Sequence, residues 1–394
     1  MKCNAWTLGL LSAGIVSLPA VTHADEKPSS VLTALSATTI SGYVDTSAQW
    51  NLGTGDANVP NYAFGGPTKA DGFNLNVVKL SIEKPVDSAD AWGAGYKVDL
   101  LFGPDADIFA SQSPVATGSG DFAVKQAYVA LHAPIGNGVD FKVGVWDTLI
   151  GYEVFESVND PNVTRSYGYS MEPTTHTGVQ AAYQFCESFS AAVGVANTFG
   201  PTINGRAFPA RAESYKTYMA SATFTAPTNW GFLGGSTLSG CVINGFNSGS
   251  PATGTAADQT SFYGAATINT PVTGLKVGLA YDYAGVSKQP LTANTTGYAD
   301  AVGLYASYQL TEKLSIYGRG EYAWSGAPAA FLATKVIEGT ATLQYDLWKN
   351  VLSRLEFRWD HAADGSTPYG GTTFGAPGTK KNSYILMADI AYKF

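Results

Sequence analysis

The chain has 394 residues, only 14% of them charged, with 44 glycines, 12% aromatic residues and a formal net charge of −8. Soluble globular proteins carry roughly 25% charged residues, and an acidic balance argues against a nucleic-acid partner. No segment after the N-terminal region reads as a membrane helix. The longest uncharged stretch, 217–257, is full of Gly, Ser, Thr and Asn and alternates in character. No internal repeat of fixed length supports a solenoid, although composition alone leaves a large secreted β-sandwich open.

Residues 1–24 read as a secretory signal peptide. Lys2 supplies the positive start, Trp6 to Ala20 contain a short apolar run, and Thr22-His23-Ala24 is a small-residue cleavage site before Asp25. Removing Lys2 leaves 22 basic residues against 31 acidic ones, a net charge of −9. Residues 25–37 form a short polar leader. Cys186 and Cys241 remain after processing, and their positions near opposite ends of different strands predict two isolated small residues, not a disulfide.

From Ile40 onward a two-residue period takes over. Ile40, Gly42, Val44, Thr46, Ala48 and Trp50 alternate with Ser41, Tyr43, Asp45, Ser47 and Gln49. A Gly/Asn/Pro-rich loop follows to Asp71, then a less regular strand from Phe73 to Lys84. Trp92 to Phe102 is a cleaner strand, with Lys97 and Asp99 on its polar side. A fourth strand ends near Ala133, and a fifth carries Val139, Phe141, Val143 and Val145. Asp147 to Thr174 is a long irregular stretch. Beyond it, strands pair around short turns: 177–185 with 189–195, 218–224 with 232–242, 262–268 with 275–283, 302–310 with 314–324, and 337–347 with 351–359.

The last strand spans Ser383 to Phe394. Tyr384, Leu386, Ala388, Ile390, Tyr392 and Phe394 share one face, while Ser383, Asp389 and Lys393 fall on the other. That makes about sixteen strands, each near the ~9–11 residues needed to cross a bilayer tilted. Short turns alternate with long loops, a sorting that a barrel with two unlike rims requires and a sandwich does not. The expected fold is an all-β, transmembrane, antiparallel up-and-down barrel over 38–394. Its last strand pairs with Ile40–Trp50 to remove the open edge.

Sixteen strands enclose a lumen wide enough for water, so a pore is the expected consequence. Polar-side residues of both signs, among them Lys97, Asp99, Asp282, Glu321 and Glu356, suit a hydrated wall and would be costly against lipid. For any one of them taken singly, an ordinary solvated position without a selective role is the first reading. The loop from Asp147 to Thr174 stands apart. It carries Asp147, Glu153, Glu156, Asp160 and Glu172 against a single Arg165, together with Leu149, Ile150, Tyr152, Phe155, Tyr167 and Tyr169. Apolar side chains let such a loop pack against something. Folded into the lumen, it would set its acids opposite Arg319, Arg354 and Arg358, and the resulting field would sort solutes by charge and dipole. An external cap or a subunit contact is the other use for the same loop.

Gly144-Val-Trp-Asp-Thr-Leu-Ile-Gly-Tyr-Glu153 and Pro173-Thr-Thr-His-Thr-Gly-Val179 resemble the β-barrel porin-2 (OmpL-like) family. The general layout is similar to sixteen-stranded general porins, whose third loop narrows the pore and whose last residue is Phe. The resemblance implies passive diffusion of ions and small hydrophilic solutes through a bacterial outer membrane. It implies lipids and the barrel-assembly machinery as partners, with Ile390, Tyr392 and Phe394 as the assembly signal. A homotrimer is a candidate assembly, and catalytic residues are not part of the family's picture. No ligand-cluster spacing in the sequence suggests a metal, and the scattered glycines form no phosphate loop or dinucleotide fingerprint, so no cofactor is expected. His132, His176 and His361 form no catalytic arrangement, since His361 and Asp360 point to opposite faces of a strand. The alternatives are a structural or adhesive surface barrel acting through its external loops, and a soluble secreted binding protein.

Overall fold

In the computed structural model of the chain, the two-residue alternation becomes sixteen extended strands in one closed sheet. The structure describes residues 37–53, 55–60, 69–86, 92–109, 120–207, 214–246, 258–286, 297–326, 331–373 and 375–394. The signal peptide at 1–24 and all but the last residue of the leader lie outside the described residues. The strands are β1 (Thr39–Asn51), β2 (Gly72–Lys84), β3 (Gly93–Phe102), β4 (Phe122–Ala133), β5 (Val139–Asp147), β6 (Thr175–Cys186), β7 (Phe189–Ala196) and β8 (Thr217–Thr225). They continue as β9 (Thr237–Phe246), β10 (Asp258–Asn269), β11 (Leu275–Val286), β12 (Gly297–Gln309), β13 (Leu314–Ser325), β14 (Lys335–Trp348), β15 (Val351–Ala362) and β16 (Asn382–Lys393). Two short helices lie in connections, α1 (Pro104–Phe109) and α2 (Tyr167–Met171).

Every strand pairs antiparallel with its neighbours in sequence, and β16 pairs with β1 in a register that runs from Tyr43 opposite Lys393 to Asn51 opposite Ile385. Closure leaves no unpaired edge, the condition for a sheet that sits in lipid. Beyond Lys393 the pairing continues for one residue. Gly42 N–H donates to the Phe394 carbonyl and Phe394 N–H donates to the Gly42 carbonyl, both at 2.9 Å.

The barrel is inside-out relative to a soluble protein. On β15, Arg354, Glu356, Arg358 and Asp360 are buried while Leu355 and Phe357 are 50% and 42% exposed. The same inversion appears on β16, where Ile390 and Tyr392 are exposed and Asp389 is buried. Unpaired ionised groups facing hydrocarbon would cost several kcal/mol each, roughly 2.5–3.5 by insertion scales. The apolar face therefore turns outward and the charged face inward.

Two expectations need adjusting. The apolar Phe232 reads as the start of a strand, yet Gly231–Leu233 form a 3₁₀ turn and β9 begins only at Thr237. Gly231 and Gly235 adopt positive φ (61° and 81°), which breaks the extended run. The connection 226–236 is consequently not short, so the alternation of loop lengths is a tendency with one exception. Second, the inner face is not charged all round. Ala196 of β7, Met219 of β8, Cys241 and Ile243 of β9, Tyr263 and Ala265 of β10, and Ala280 of β11 form one apolar cluster with Trp146 and Ile150. The inward charges concentrate instead on β13–β16 and β1–β5.

Cys186 is exposed at the end of β6 and Cys241 is buried in β9, both as free thiols. No described helix is long and apolar enough to cross a membrane, which leaves crossing by strands untouched.

Candidate pore constriction

The connection 148–174 between β5 and β6 is tied at its neck. Thr148 N–H donates to the Thr174 carbonyl (3.0 Å), and the Thr148 hydroxyl lies 3.0 Å from His176 Nε2. Inside the loop Arg165 holds the fold together. Its guanidinium donates to the carbonyls of Val154 (2.9 Å), Val163 (2.7 Å) and Phe155 (2.6 Å), and it lies 3.2 Å from the Asp160 carboxylate. Ser166 caps α2 by accepting from Tyr169 N–H at 3.0 Å. Gly151, at φ +136°, allows the bend that carries the chain from Ile150 to Tyr152.

The loop then meets the inner faces of distant strands. Glu153 Oε1 accepts from Arg319 Nη1 at 2.8 Å and from the Tyr305 hydroxyl at 3.2 Å, while its Oε2 accepts from Ser166 N–H at 2.9 Å. Arg319 also reaches Glu338 (3.1 Å) and the Thr164 carbonyl (2.8 Å). Glu356 accepts the backbone N–H groups of Val163 (2.5 Å) and Thr164 (2.9 Å). Glu321 does the same for Tyr167 (2.6 Å) and Gly168 (2.7 Å). Arg354 donates to the Ser157 carbonyl at 2.6 Å and pairs with Asp389 at 2.8 Å. Arg358 pairs with Asp360 at 2.8 Å and donates to the Arg165 carbonyl. Nearer the short-turn rim, Lys393 Nζ donates to the Val158 carbonyl at 2.8 Å. Backbone groups that an irregular segment cannot pair with itself are thus taken up by the wall.

The acidic residues of the loop are matched with cations at contact distance. Lys125 Nζ lies 2.5 Å from Asp147 and 3.1 Å from Glu156, and Lys79 Nζ lies 2.5 Å from Glu156. Burial alone would raise the Glu156 carboxyl, but the ammonium groups of Lys125 and Lys79 outweigh it and hold the carboxyl below the usual range. Glu172 is the exception. It shares a hydrogen bond with Asp282 of β11, and burial, then that second carboxyl, keep it well above the ordinary carboxylate range. Acids and arginines facing one another across open water are therefore not what the structure has: Glu153 and Arg319 touch, and Arg354 and Arg358 hold loop carbonyls.

The sequence singles out all eight charged residues and places Glu321 and Glu356 on the inner wall, but it shows neither the role of those two nor the part of Lys79 and Lys125. Glu321 and Glu356 anchor the loop backbone, and Lys79 and Lys125 neutralise its acids. One signal was available. Arg354, Glu356, Arg358 and Asp360 alternate along one face of β15, a charged stripe too dense for water alone.

A cavity of ≈ 310 Å³ remains on the other side of the loop. Tyr152, Glu153 and Glu172 border it from the loop, and Ser221, Thr223, Thr237, Ser239 and Thr267 border it from β8–β10. Tyr152 stacks on Tyr305 at a centroid distance of 4.1 Å. It fits there because Gly278 has no side chain; a Cβ at that position would overlap the phenol oxygen.

A closed barrel of sixteen antiparallel strands, apolar outside and ionised inside, defines the class of outer-membrane porins. The family model described as "Putative beta-barrel porin-2, OmpL-like" matches residues 37–394, and the chain belongs to that family. Solved structures share the fold at low identity. The anion-selective porin from Comamonas acidovorans is 13% identical with a TM-score of 0.61, covering 91% of this chain and 99% of that one. The outer membrane channel DcaP of Acinetobacter baumannii is 15% identical with a TM-score of 0.54, covering 91% and 97%. The trimer form of OmpT of Vibrio cholerae is 14% identical with a TM-score of 0.56, covering 91% and 99%. No curated protein matches the chain by sequence.

Proposed function

We propose that ions and small hydrophilic solutes diffuse passively through the barrel and that the loop 148–174 lies in the lumen and sets the aperture. One observation carries the reading. Loop groups from Glu153 to Gly168 bond to inner-face side chains of β13 and β15, and the Val158 carbonyl takes Lys393 of β16. On this reading Glu153, Glu156, Asp160 and Glu172 form the loop side of the constriction together with Asp147, which is the last residue of β5 and not a loop residue. Arg319, Arg354 and Arg358 hold the loop to the wall. The passage then runs between the loop and β8–β10. The homotrimer, the export signal at 1–24 and the assembly signal at Ile390, Tyr392 and Phe394 belong to the same proposal. The trimer form described for OmpT supports the first of these.

Reconstitution of the purified chain into planar bilayers tests it. Stepwise ion conductance is the expected result, with larger steps once the loop is released by the double substitution Glu321→Gln and Glu356→Gln. Silent insertion would favour a structural or adhesive surface barrel. Conductance unchanged by the double substitution would put the loop outside the passage.

A further inference from the structure

The free side of the aperture is chemically unlike its anchored side. Ser221 and Thr223 of β8, Thr237 and Ser239 of β9, and Thr267 of β10 all border the ≈ 310 Å³ cavity. Strand register sets them in rows, since Thr223 is directly opposite Ser239 and Thr237 directly opposite Thr267. Neighbouring strands lie ~4.8 Å apart, so each row offers hydroxyls at a short, fixed spacing. A Ser or Thr hydroxyl both donates and accepts, and so serves a ligand hydroxyl in either sense. Tyr152 and Tyr263 border the same space and add aromatic surface beside the hydroxyls. Among the described residues that border the cavity, the one ammonium group, Lys125 Nζ, is held by Asp147 and Glu156. No cation among these described residues stands ready for an anionic solute.

We infer that this wall is a subsite for uncharged, hydroxyl-rich solutes of mono- or disaccharide size. The inference rests on the reading of the barrel as a diffusion channel and names the solute class of the same passage. A sugar presents hydroxyls around its edge and C–H surface on its faces. The first suit the Ser/Thr rows and the second suit a tyrosine ring. The cavity volume falls at the lower end of the ~300–1,000 Å³ common for small-molecule sites. Glu172, whose carboxyl burial and the neighbouring Asp282 carboxyl raise above the ordinary range, borders the same space.

The test is ion current through the full-length channel in a planar bilayer as sucrose is added, corrected for viscosity with a dextran too large to enter. A saturable fall in current is expected. Thr223→Val combined with Ser239→Ala removes two hydroxyls from one row, and about a tenfold rise in the half-blocking sucrose concentration should follow. Tyr152→Leu, on the loop and outside the sheet ladder, should weaken the block independently. Each variant is referred to its own sugar-free conductance. A conducting channel with no saturable block, or a block that all three substitutions leave unchanged, overturns the subsite and leaves the channel reading standing. No conductance in any sample overturns both.

Discussion

Glu153 and Arg319 are 166 residues apart in the chain and 2.8 Å apart in the barrel, with side chains 2% and 0% exposed. Two charges so fully desolvated are held by each other and by the groups around them, here Glu338, Thr164, Ser166, Tyr305 and Thr340. Removing one partner leaves the others uncompensated. Arg319→Met should cost about 3–5 kcal/mol, the usual penalty for breaking a buried pair from one side. Denaturant-induced unfolding of the detergent-solubilised barrel measures it. A loss below about 1 kcal/mol would mean that water reaches this pair.

Glu356 takes two adjacent backbone N–H groups of the loop, from Val163 and Thr164, as well as the Thr342 hydroxyl. Hydrogen bonds to a charged acceptor contribute roughly 1.5–3 kcal/mol each. Glu356→Gln keeps the shape but loses the charge and one acceptor. We expect noisier open-channel current with the fold intact by circular dichroism. Current noise indistinguishable from wild type would show that these bonds are redundant.

Gly278 of β11 gives the Tyr152 ring its place against Tyr305. Gly278→Val should push the ring into the passage and reduce single-channel conductance. Replacing Tyr152 with Ala in the same chain should restore it. If the double variant conducts no better than Gly278→Val alone, the ring is not what the new side chain displaces.

Glu172 sets a pH dependence whose sign is fixed. Its carboxyl lies above the ordinary range in the folded chain because of burial and of Asp282, with Glu153 and Asp160 adding in the same direction. A raised carboxyl contributes stability in full below the ordinary value of ~4.3 and loses it as pH rises through the folded value. Loop attachment should therefore weaken as pH increases, and conductance should grow. Glu172→Gln mimics the protonated form and should flatten that rise. A variant that follows the wild-type curve would assign the dependence to another group.

The strands were legible because each exposes one face to lipid and turns the other inward, so the alternation survives from Ile40 to Phe394. Where the inner face is also apolar, as at Met219, Ile243 and Tyr263, that signal fades, and the packing inside the barrel could not be read. On β16 the inward Ile385 and Met387 interrupt the polar side. Val163 of the loop covers them, and periodicity along one strand carries no trace of that partner. The loop acids were legible as residue types. Their pairing with Lys79, Lys125 and Arg319 depends on barrel closure, which brings together segments from distant parts of the chain. Arg165 looked like a lone base among acids and is instead the residue around which the loop is wound.

The seam between β1 and β16 joins residues from opposite ends of the barrel sequence; the Thr46 hydroxyl donates to the Ile390 carbonyl across 344 positions. Loop-closure entropy makes contacts of such long range the slowest to form. The seam should therefore be the final event of folding, after the fourteen strands between have assembled. Until then two full-length edges stand open, each able to capture a strand from another chain. A folding intermediate of this barrel is thus a sheet with two adhesive sides. Gly42 faces both the first hairpin and that last step: an added Cβ would overlap the Lys79 carbonyl oxygen of β2 and lie 2.7 Å from the Phe394 ring Cζ. Gly42→Leu should then disturb both the β1–β2 pairing and the seam, and raise the aggregated fraction on refolding.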